Sequence, residues 1–309
     1  MQIVNYVPGK TVAPHETVLA LGFFDGVHLG HRALIALAAE KAKALGLPLG
    51  VFTFPAEDPM IKSGALRLYD TPHKLSLLDS LGIDYVFMCE LSAVAAISAE
   101  DFVRSCLVRD MRAAVTVCGF NYRFGHGAKG NCDMLESAMR ALGRESVTLP
   151  PMYHEGVLLS STAVREHLMR GDVALAGKML GAPYALFGKV ESGDGRGKTL
   201  GFPTVNIPLE KNRLILPSGV YATVTKTKEG DHPSVTNVGT CPTFGARHIH
   251  AETHLCEFSG DLYGQDVEIG FLTRLRDETV FSSKEMLIKQ INVDKNDAME
   301  VYRAWLEAG

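Results

Sequence analysis

The run Thr17-Val-Leu-Ala-Leu-Gly-Phe-Phe-Asp-Gly-Val-His-Leu-Gly-His31 sets the architecture of the first half of this chain. Residues 17–22 form a short β-type apolar run. From His31, apolar residues recur at Leu34, Ile35, Leu37, Ala38 and Ala42, the spacing of one helical face, and Gly46 stops the pattern. The same grammar continues outward. Residues 49–54 read as a strand. Thr71-Pro72 opens a helix to about Leu81, with the threonine hydroxyl as its cap. Tyr85–Met88 reads as a strand, Ser98 caps a helix through Val108, and residues 114–118 read as another strand. Strands alternating with helices at this spacing predict a parallel sheet wrapped by helices.

Beyond about Pro183 the grammar changes. Short β-type segments at 186–191, 219–227, 234–238, 252–258 and 267–272 are separated by Gly and Pro, which predicts an antiparallel barrel or sandwich. Helices at 283–291 and 294–306 close the chain. The junction falls at Gly181-Ala-Pro183, giving domains of 1–182 and 183–309.

With 309 residues, two domains are expected. Apolar residues make up 46% and charged residues 21%, a mixture with enough core to exclude disorder and fibres. Basic residues number 31 against 35 acidic, so no nucleic-acid footprint is expected and any polyanionic ligand must be held locally. The first eight residues lack a charged stretch leading into an apolar one, so no targeting peptide is read there. The apolar runs are too short to span a membrane. The six cysteines show no metal or redox spacing and sit mostly in apolar segments, which fits buried free thiols and a reducing, cytoplasmic location. Whether the chain forms a homo-oligomer is left open.

The turn after the first strand carries chemistry. Gly22, Gly26 and Gly30 let the backbone approach a ligand, the following helix offers free N–H groups to phosphate, and His28 and His31 can donate to phosphate oxygens. The bland alternative is a glycine-rich turn with two surface histidines. Zinc lacks a third ligand. Gly125-His-Gly-Ala-Lys-Gly130 matches a dinucleotide fingerprint in letters only, because it does not follow a strand directly. Farther along, Gly193-Asp-Gly-Arg-Gly-Lys-Thr-Leu-Gly-Phe-Pro-Thr-Val-Asn206 is a second phosphate-type loop. It is no Walker motif, since only three residues separate Gly193 from Gly197.

Gly22-Phe-Phe-Asp-Gly-Val-His-Leu-Gly-His31 resembles the nucleotide-binding signature of the bacterial bifunctional riboflavin kinase/FAD synthetase family. Gly119-Phe-Asn-Tyr-Arg-Phe-Gly125 and Ser160-Ser-Thr-Ala-Val-Arg165 resemble that family's next two motifs, in the same order. The resemblance implies an α/β nucleotidylyltransferase-type domain in which His28 and His31 are catalytic. It further implies that Gly22, Phe23, Asp25, Gly26, Gly30, Asn121, Ser160, Ser161, Thr162 and Arg165 bind the nucleotide. One departure stands out: Phe54-Pro-Ala-Glu-Asp-Pro-Met60 lacks the histidine the family usually carries there.

The 193–206 run resembles the riboflavin kinase signature of the same family, and the likeness continues through Pro217-Ser-Gly-Val-Tyr221, Asn237-Val-Gly-Thr-Cys-Pro-Thr-Phe244, Glu252-Thr-His254 and Leu275-Arg276. It implies a six-stranded antiparallel barrel. Gly197 and Lys198 would bind ATP phosphates, Thr204 and Asn206 would hold Mg²⁺ and nucleotide, and Glu252 would be the catalytic carboxylate. Taken alone, Glu252 reads as an outward carboxylate alternating with Thr253, and Asp261 as a turn residue.

The implied function is phosphorylation of riboflavin to FMN and adenylylation of FMN to FAD, both from ATP with Mg²⁺. The partners would be small molecules only, with neither nucleic acid nor membrane. Two readings stay open beside it: an active kinase with an impaired or redirected first domain, and a flavin-sensing regulator.

Overall fold

The computed structural model describes residues 1–60, 66–191, 202–208, 213–243 and 246–308. The chain divides into two compact units, Met1–Ser161 and Thr162–Gly309.

The first unit is built on a six-stranded parallel sheet: β1 (Gln2–Asn5), β2 (Thr17–Leu21), β3 (Leu49–Thr53), β4 (Tyr85–Met88), β5 (Ala113–Gly119) and β6 (Glu145–Leu149). Their order is β1-β4-β3-β2-β5-β6. Both faces are covered. Leu19 and Leu21 point into one core with Phe52, Phe102, Leu107 and Met139. Their neighbours Val18 and Ala20 point into the other with Leu34, Ile35, Ala38, Ala42 and Leu78. This period-two division is why β2 reads as an unbroken apolar run.

Helices α1 (Leu29–Leu45) and α2 (Thr71–Asp79) follow β2 and β3. Two short helices, α3 (Leu91–Val94) and α4 (Ala99–Asp101), lead into a wider π-wound stretch, Phe102–Asp110, and α5 (Cys132–Ala141) precedes β6. Ser98 caps as expected, accepting the Asp101 N–H at 3.0 Å. The cap of α2 is different from the expected one. Asp70 accepts the His73 N–H at 2.9 Å, while the Thr71 hydroxyl is bonded to Glu57 and accepts the Ala56 N–H. The carboxylate is the stronger acceptor and lies one residue earlier. The 125–130 run lies well past the end of β5, in a loop closed by a bridge between Phe124 and Gly130, and not directly after the strand, in keeping with the rejected dinucleotide reading.

A two-stranded ribbon, β7 (Tyr153–His154) and β8 (Val157–Leu158), leads to α6 (Ser161–Met169) and α7 (Val173–Leu180). The second unit then forms an antiparallel sheet from β9 (Tyr184–Lys189), β10 (Val205–Pro208), β11 (Gly219–Thr227), β12 (Gly230–Thr243), β13 (Ala246–Leu255) and β14 (Asp266–Arg276). The order is β10-β13-β12-β11-β14-β9, and a bridge between Glu191 and Asn206 joins the two end strands into a barrel. Closure needs Gly188, because a Cβ there would run into the Ile207 side chain across the seam.

Tyr184, Tyr221 and Phe271 fill the barrel, and the two phenols donate to the carbonyls of Leu214 and Pro217. Beside them runs a buried ladder of hydroxyls, Thr225–Ser234–Thr223–Thr236–Thr253, each step 2.8 Å. A chain of this kind satisfies every member without water.

The barrel is followed by one continuous helix, α8 (Lys284–Ala308), where the sequence pattern predicts two. Asp294, expected to begin the second, is instead buried in the helix interior. It accepts Gln290 Nε2 at 2.9 Å and a two-pronged bond from Arg276 at 2.9 and 2.7 Å. With its carboxylate used in this way it cannot cap, and the helix runs through.

Candidate functional site

The chain steps from β2 to β3 and β4 on one side, then crosses to β5 and β6 on the other. In open parallel sheets that reversal leaves a crevice outside the carboxyl ends of the flanking strands. The turn Gly22–His28 leaves β2 there, and Asn121 lies on the exposed turn that leaves β5.

The turn after β2 is strained. Phe24 and Val27 sit at φ +56° and +42°, and Gly26 at +79°. Left-handed φ is costly for a β-branched valine, and such strain collects where ligands are held. Bonds from several elements hold the turn in place. The Leu68 N–H donates to Asp25 Oδ1 at 3.1 Å, the Ser161 hydroxyl donates to the Asp25 carbonyl at 2.8 Å, and the Thr53 hydroxyl donates to the Phe23 carbonyl at 3.0 Å.

His28 is buried and caps α1, its Nδ1 accepting the His31 N–H at 3.3 Å. A neutral imidazole that accepts at Nδ1 carries its proton on Nε2, so His28 is a donor on its other side. The two histidine rings stack at 3.7 Å. Burial lowers the His28 pKa to about 4. Burial, with His28 and Lys74 nearby, pushes His31 well below its ordinary value. His31 Nδ1 is buried without a hydrogen-bond partner among the described residues. At Gly30 a Cβ would come within 3.1 and 3.2 Å of the His28 ring, so a side chain there would press that ring aside by a few tenths of an ångström. Gly22 similarly makes room for the Phe24 ring.

Helix α6 begins at Ser161, whose hydroxyl is engaged with Asp25 rather than serving as a cap. Thr162 is exposed on it, Arg165 is half-buried one turn in, and Ser160 precedes it.

Sequence reasoning missed Lys74. This lysine is 1% exposed, and its ammonium bonds the Phe54 carbonyl, the Phe23 carbonyl at 3.4 Å and Thr53 Oγ1 at 3.4 Å. The available signal was a lysine one turn from Leu78 on the buried side of α2.

In the second unit the strand register assembles the site. Asn206 on β10, Glu252 on β13 and Asn237 on β12 are direct cross-strand partners, so all three share one face. Thr204 precedes β10, and its hydroxyl donates to Glu252 Oε1 at 2.7 Å. Two cavities meet at Thr204. One, of about 400 Å³, has an apolar wall of Phe202, Val220, Val235, Phe281, Leu287 and Ile291, and its polar groups include Glu252, Asn237, Arg276 and Glu278. The other, of about 450 Å³, is lined by Asn206, Phe258, Gly260, Asp261 and Tyr263. Both are of ligand size.

Asp261 serves a turn as expected, accepting the Tyr263 N–H at 2.9 Å. Asn237, quoted within a motif but given no role, has Oδ1 buried without a partner among the described residues, while its amide donates to Glu278. Gly197 and Lys198 lie outside the described residues. Among the described residues no cluster of His, Cys, Asp and Glu forms a ready metal cage, and no helix is long and apolar enough to cross a membrane. Cys89, Cys106, Cys118, Cys132 and Cys256 are free thiols.

Comparison with known proteins agrees with both halves of this geometry. A family model described as FAD synthetase matches residues 10–163, and one described as riboflavin kinase matches residues 180–302. A bifunctional riboflavin kinase/FMN adenylyltransferase from Escherichia coli K12 is 36% identical, with 98% of each chain covered. Its counterpart from Haemophilus influenzae is 33% identical over 98% of this chain and 100% of the relative. The Bacillus subtilis protein of the same name is 31% identical over 93% of each. A crystal structure described as a macrolide-efflux protein from Streptococcus pneumoniae superposes with a TM-score of 0.88 at 28% identity, over 96% of this chain and 98% of that one. Two family models in this order, and relatives that match from end to end, place the chain in the bifunctional riboflavin kinase/FMN adenylyltransferase family.

Proposed function

We propose that this chain converts riboflavin to FMN in its barrel and FMN to FAD in its parallel-sheet unit, both at the expense of ATP. The observation that carries the first half is the meeting of the two cavities at Thr204, whose hydroxyl is bonded to Glu252 in the first of them. The apolar cavity suits the flat isoalloxazine ring, and the second suits ATP. The riboflavin primary hydroxyl then sits beside Glu252, which orients it and accepts its proton as the oxygen attacks the γ-phosphorus and ADP leaves.

Thr204 and Asn206 would hold Mg²⁺. Their hydroxyl and amide oxygens suit a hard cation that takes its remaining ligands from water and phosphate, and a site without an acidic cage is ordinary for Mg²⁺. When bound, the ion neutralises charge on the ATP phosphates.

In the first unit the FMN phosphate is the nucleophile at the α-phosphorus of a second ATP, forming the new P–O bond of FAD as pyrophosphate departs. No covalent enzyme intermediate is needed, so positioning and charge stabilisation suffice. His28 and His31 donate hydrogen bonds as neutral imidazoles, and the α1 N-terminus adds backbone donors. Gly22, Phe23, Asp25, Gly26 and Gly30 shape the turn, while Asn121, Ser160, Ser161, Thr162 and Arg165 complete the nucleotide contacts. Gly197 and Lys198 serve ATP in the barrel.

Residues 1–182 serve adenylylation and 183–309 phosphorylation, a reading supported by the family models over 10–163 and 180–302; the compact units themselves part earlier, between Ser161 and Thr162. The free thiols support a reducing, cytoplasmic setting.

The half-reactions separate by their products. Riboflavin with ATP and Mg²⁺ should release ADP and FMN, and FMN with ATP and Mg²⁺ should release pyrophosphate and FAD. Flavin that binds in both mixtures without turnover would leave a sensor.

A further inference from the structure

The run Phe54–Met60 departs from the family pattern by lacking a histidine, and the two histidines of the turn after β2 are neutral. What stands at the end of β3 is the ammonium of Lys74. It reaches across from α2 to bond the Phe54 carbonyl beyond β3 and the Phe23 carbonyl beyond β2. It also lies 4.8 Å above the centre of the Phe23 ring. The carbonyls it grips belong to neighbouring strands at the carboxyl end of the sheet. A buried ammonium bonded to neutral oxygens is expensive, and a methionine would fill the same space without that cost. A charge kept in such a place needs a use.

We propose that Lys74 is a positioning residue of the adenylyl-transfer site, clipping the nucleotide turn to the end of β3 and supplying positive charge behind His31. This rests on the adenylyl-transfer reading of the first unit.

The groups facing the ammonium are Asp25 on the turn, Glu57 beyond β3 and His31 on α1. His28 stacks behind His31. On the loop leading into α2 and on α2 itself, Asp70 and His73 bond each other. Burial lowers the Lys74 pKa to about 8, with Asp25 and Glu57 opposing the fall. The lysine is charged below that value and neutral above it. An arginine in its place would stay charged throughout.

The test uses the full chain with Lys74→Met and Lys74→Arg, assayed for FMN formation and for FAD formation from FMN between pH 6 and 10. Riboflavin phosphorylation should be unchanged in both variants. Lys74→Met should lose at least tenfold in kcat/KM for FAD formation. Lys74→Arg should keep most of it. Wild-type FAD formation should fall above about pH 8, and in Lys74→Arg that fall should vanish.

A Lys74→Met protein that equals wild type in kcat/KM would overturn the proposal. So would a wild-type profile flat to pH 10, a readout that needs no variant to fold, or a Lys74→Arg profile with the same alkaline fall. If wild type makes FMN but never FAD from FMN, the adenylyl-transfer reading itself fails, a result distinct from any of these.

Discussion

Replacing Glu252 with glutamine keeps the shape of the side chain and removes its ability to take a proton. In the resting structure the carboxylate accepts the Thr204 hydroxyl at 2.7 Å. A glutamine amide oxygen can accept the same bond, so the loss is that of a charge-assisted bond replaced by a neutral one, about 1 kcal/mol. The transition state loses more. A positioned general base is worth roughly 10²–10⁴ in rate, or about 3–5 kcal/mol of barrier. Substrate binding is spared that loss, because the flavin ring meets the apolar wall of Phe202, Val220 and Val235 rather than the carboxylate. Steady-state assay of FMN formation should therefore show kcat down at least a hundredfold, with KM for riboflavin within about threefold of wild type. FAD formation from supplied FMN should be unaffected. A kcat within tenfold of wild type would refute the assignment of Glu252 as base, and a large rise in KM with kcat intact would make it a binding residue.

Asparagine at position 28 should still cap α1, since its side-chain oxygen can replace His28 Nδ1 as acceptor for the His31 N–H. It should abolish most FAD formation. It should also remove His28's share of the acid sensitivity of the first unit, while His31 keeps its own. His28 has its folded pKa lowered from 6.5 to about 4, so the stability tied to its neutral form is present above 6.5 and lost as pH falls toward 4. That is worth up to about 3 kcal/mol, and thermal melts across this range should show a smaller acid loss in His28→Asn than in wild type. Gly30→Ala should cost little or even gain up to about 1 kcal/mol of helix stability. It would nonetheless displace the His28 ring that its Cβ meets at 3.1 Å, lowering FAD formation while FMN formation stays normal. Asp294→Asn breaks a nearly buried ion pair with Arg276 and should destabilise the second unit by about 3–5 kcal/mol in denaturant titrations. Chelation by EDTA should stop both reactions, and added Mg²⁺ should restore them.

Both architectures were legible in the sequence because each rests on a short-range pattern. The stripe on α1 and the unbroken apolar runs of β2 and β3 follow directly from burial on both faces of a parallel sheet. The edge strands β1 and β6 were not read, because neither is buried enough to carry a clear apolar pattern. Long-range bonds were equally invisible. Asp294 looks like a helix cap until Arg276, 18 residues earlier, is seen to hold it. Lys74 looks like a surface lysine until β2 and β3 converge on it. The turn after β2 was recognised by its letters, whereas the tautomer of His28 and the strain at Val27 appear only once the backbone is traced. In the barrel, Glu252 read as an ordinary alternating carboxylate. Register alone brings it beside Asn206 and Asn237.

If one chain performs two successive steps on one flavin, both products must appear in order in a single reaction vessel. Purified protein should be given riboflavin, ATP and Mg²⁺, and the flavins resolved by chromatography over time. FMN should appear first, without a lag, and FAD should follow at the expense of FMN. FMN that accumulates and never becomes FAD would contradict the assignment of the parallel-sheet unit, and riboflavin that remains unchanged would contradict both.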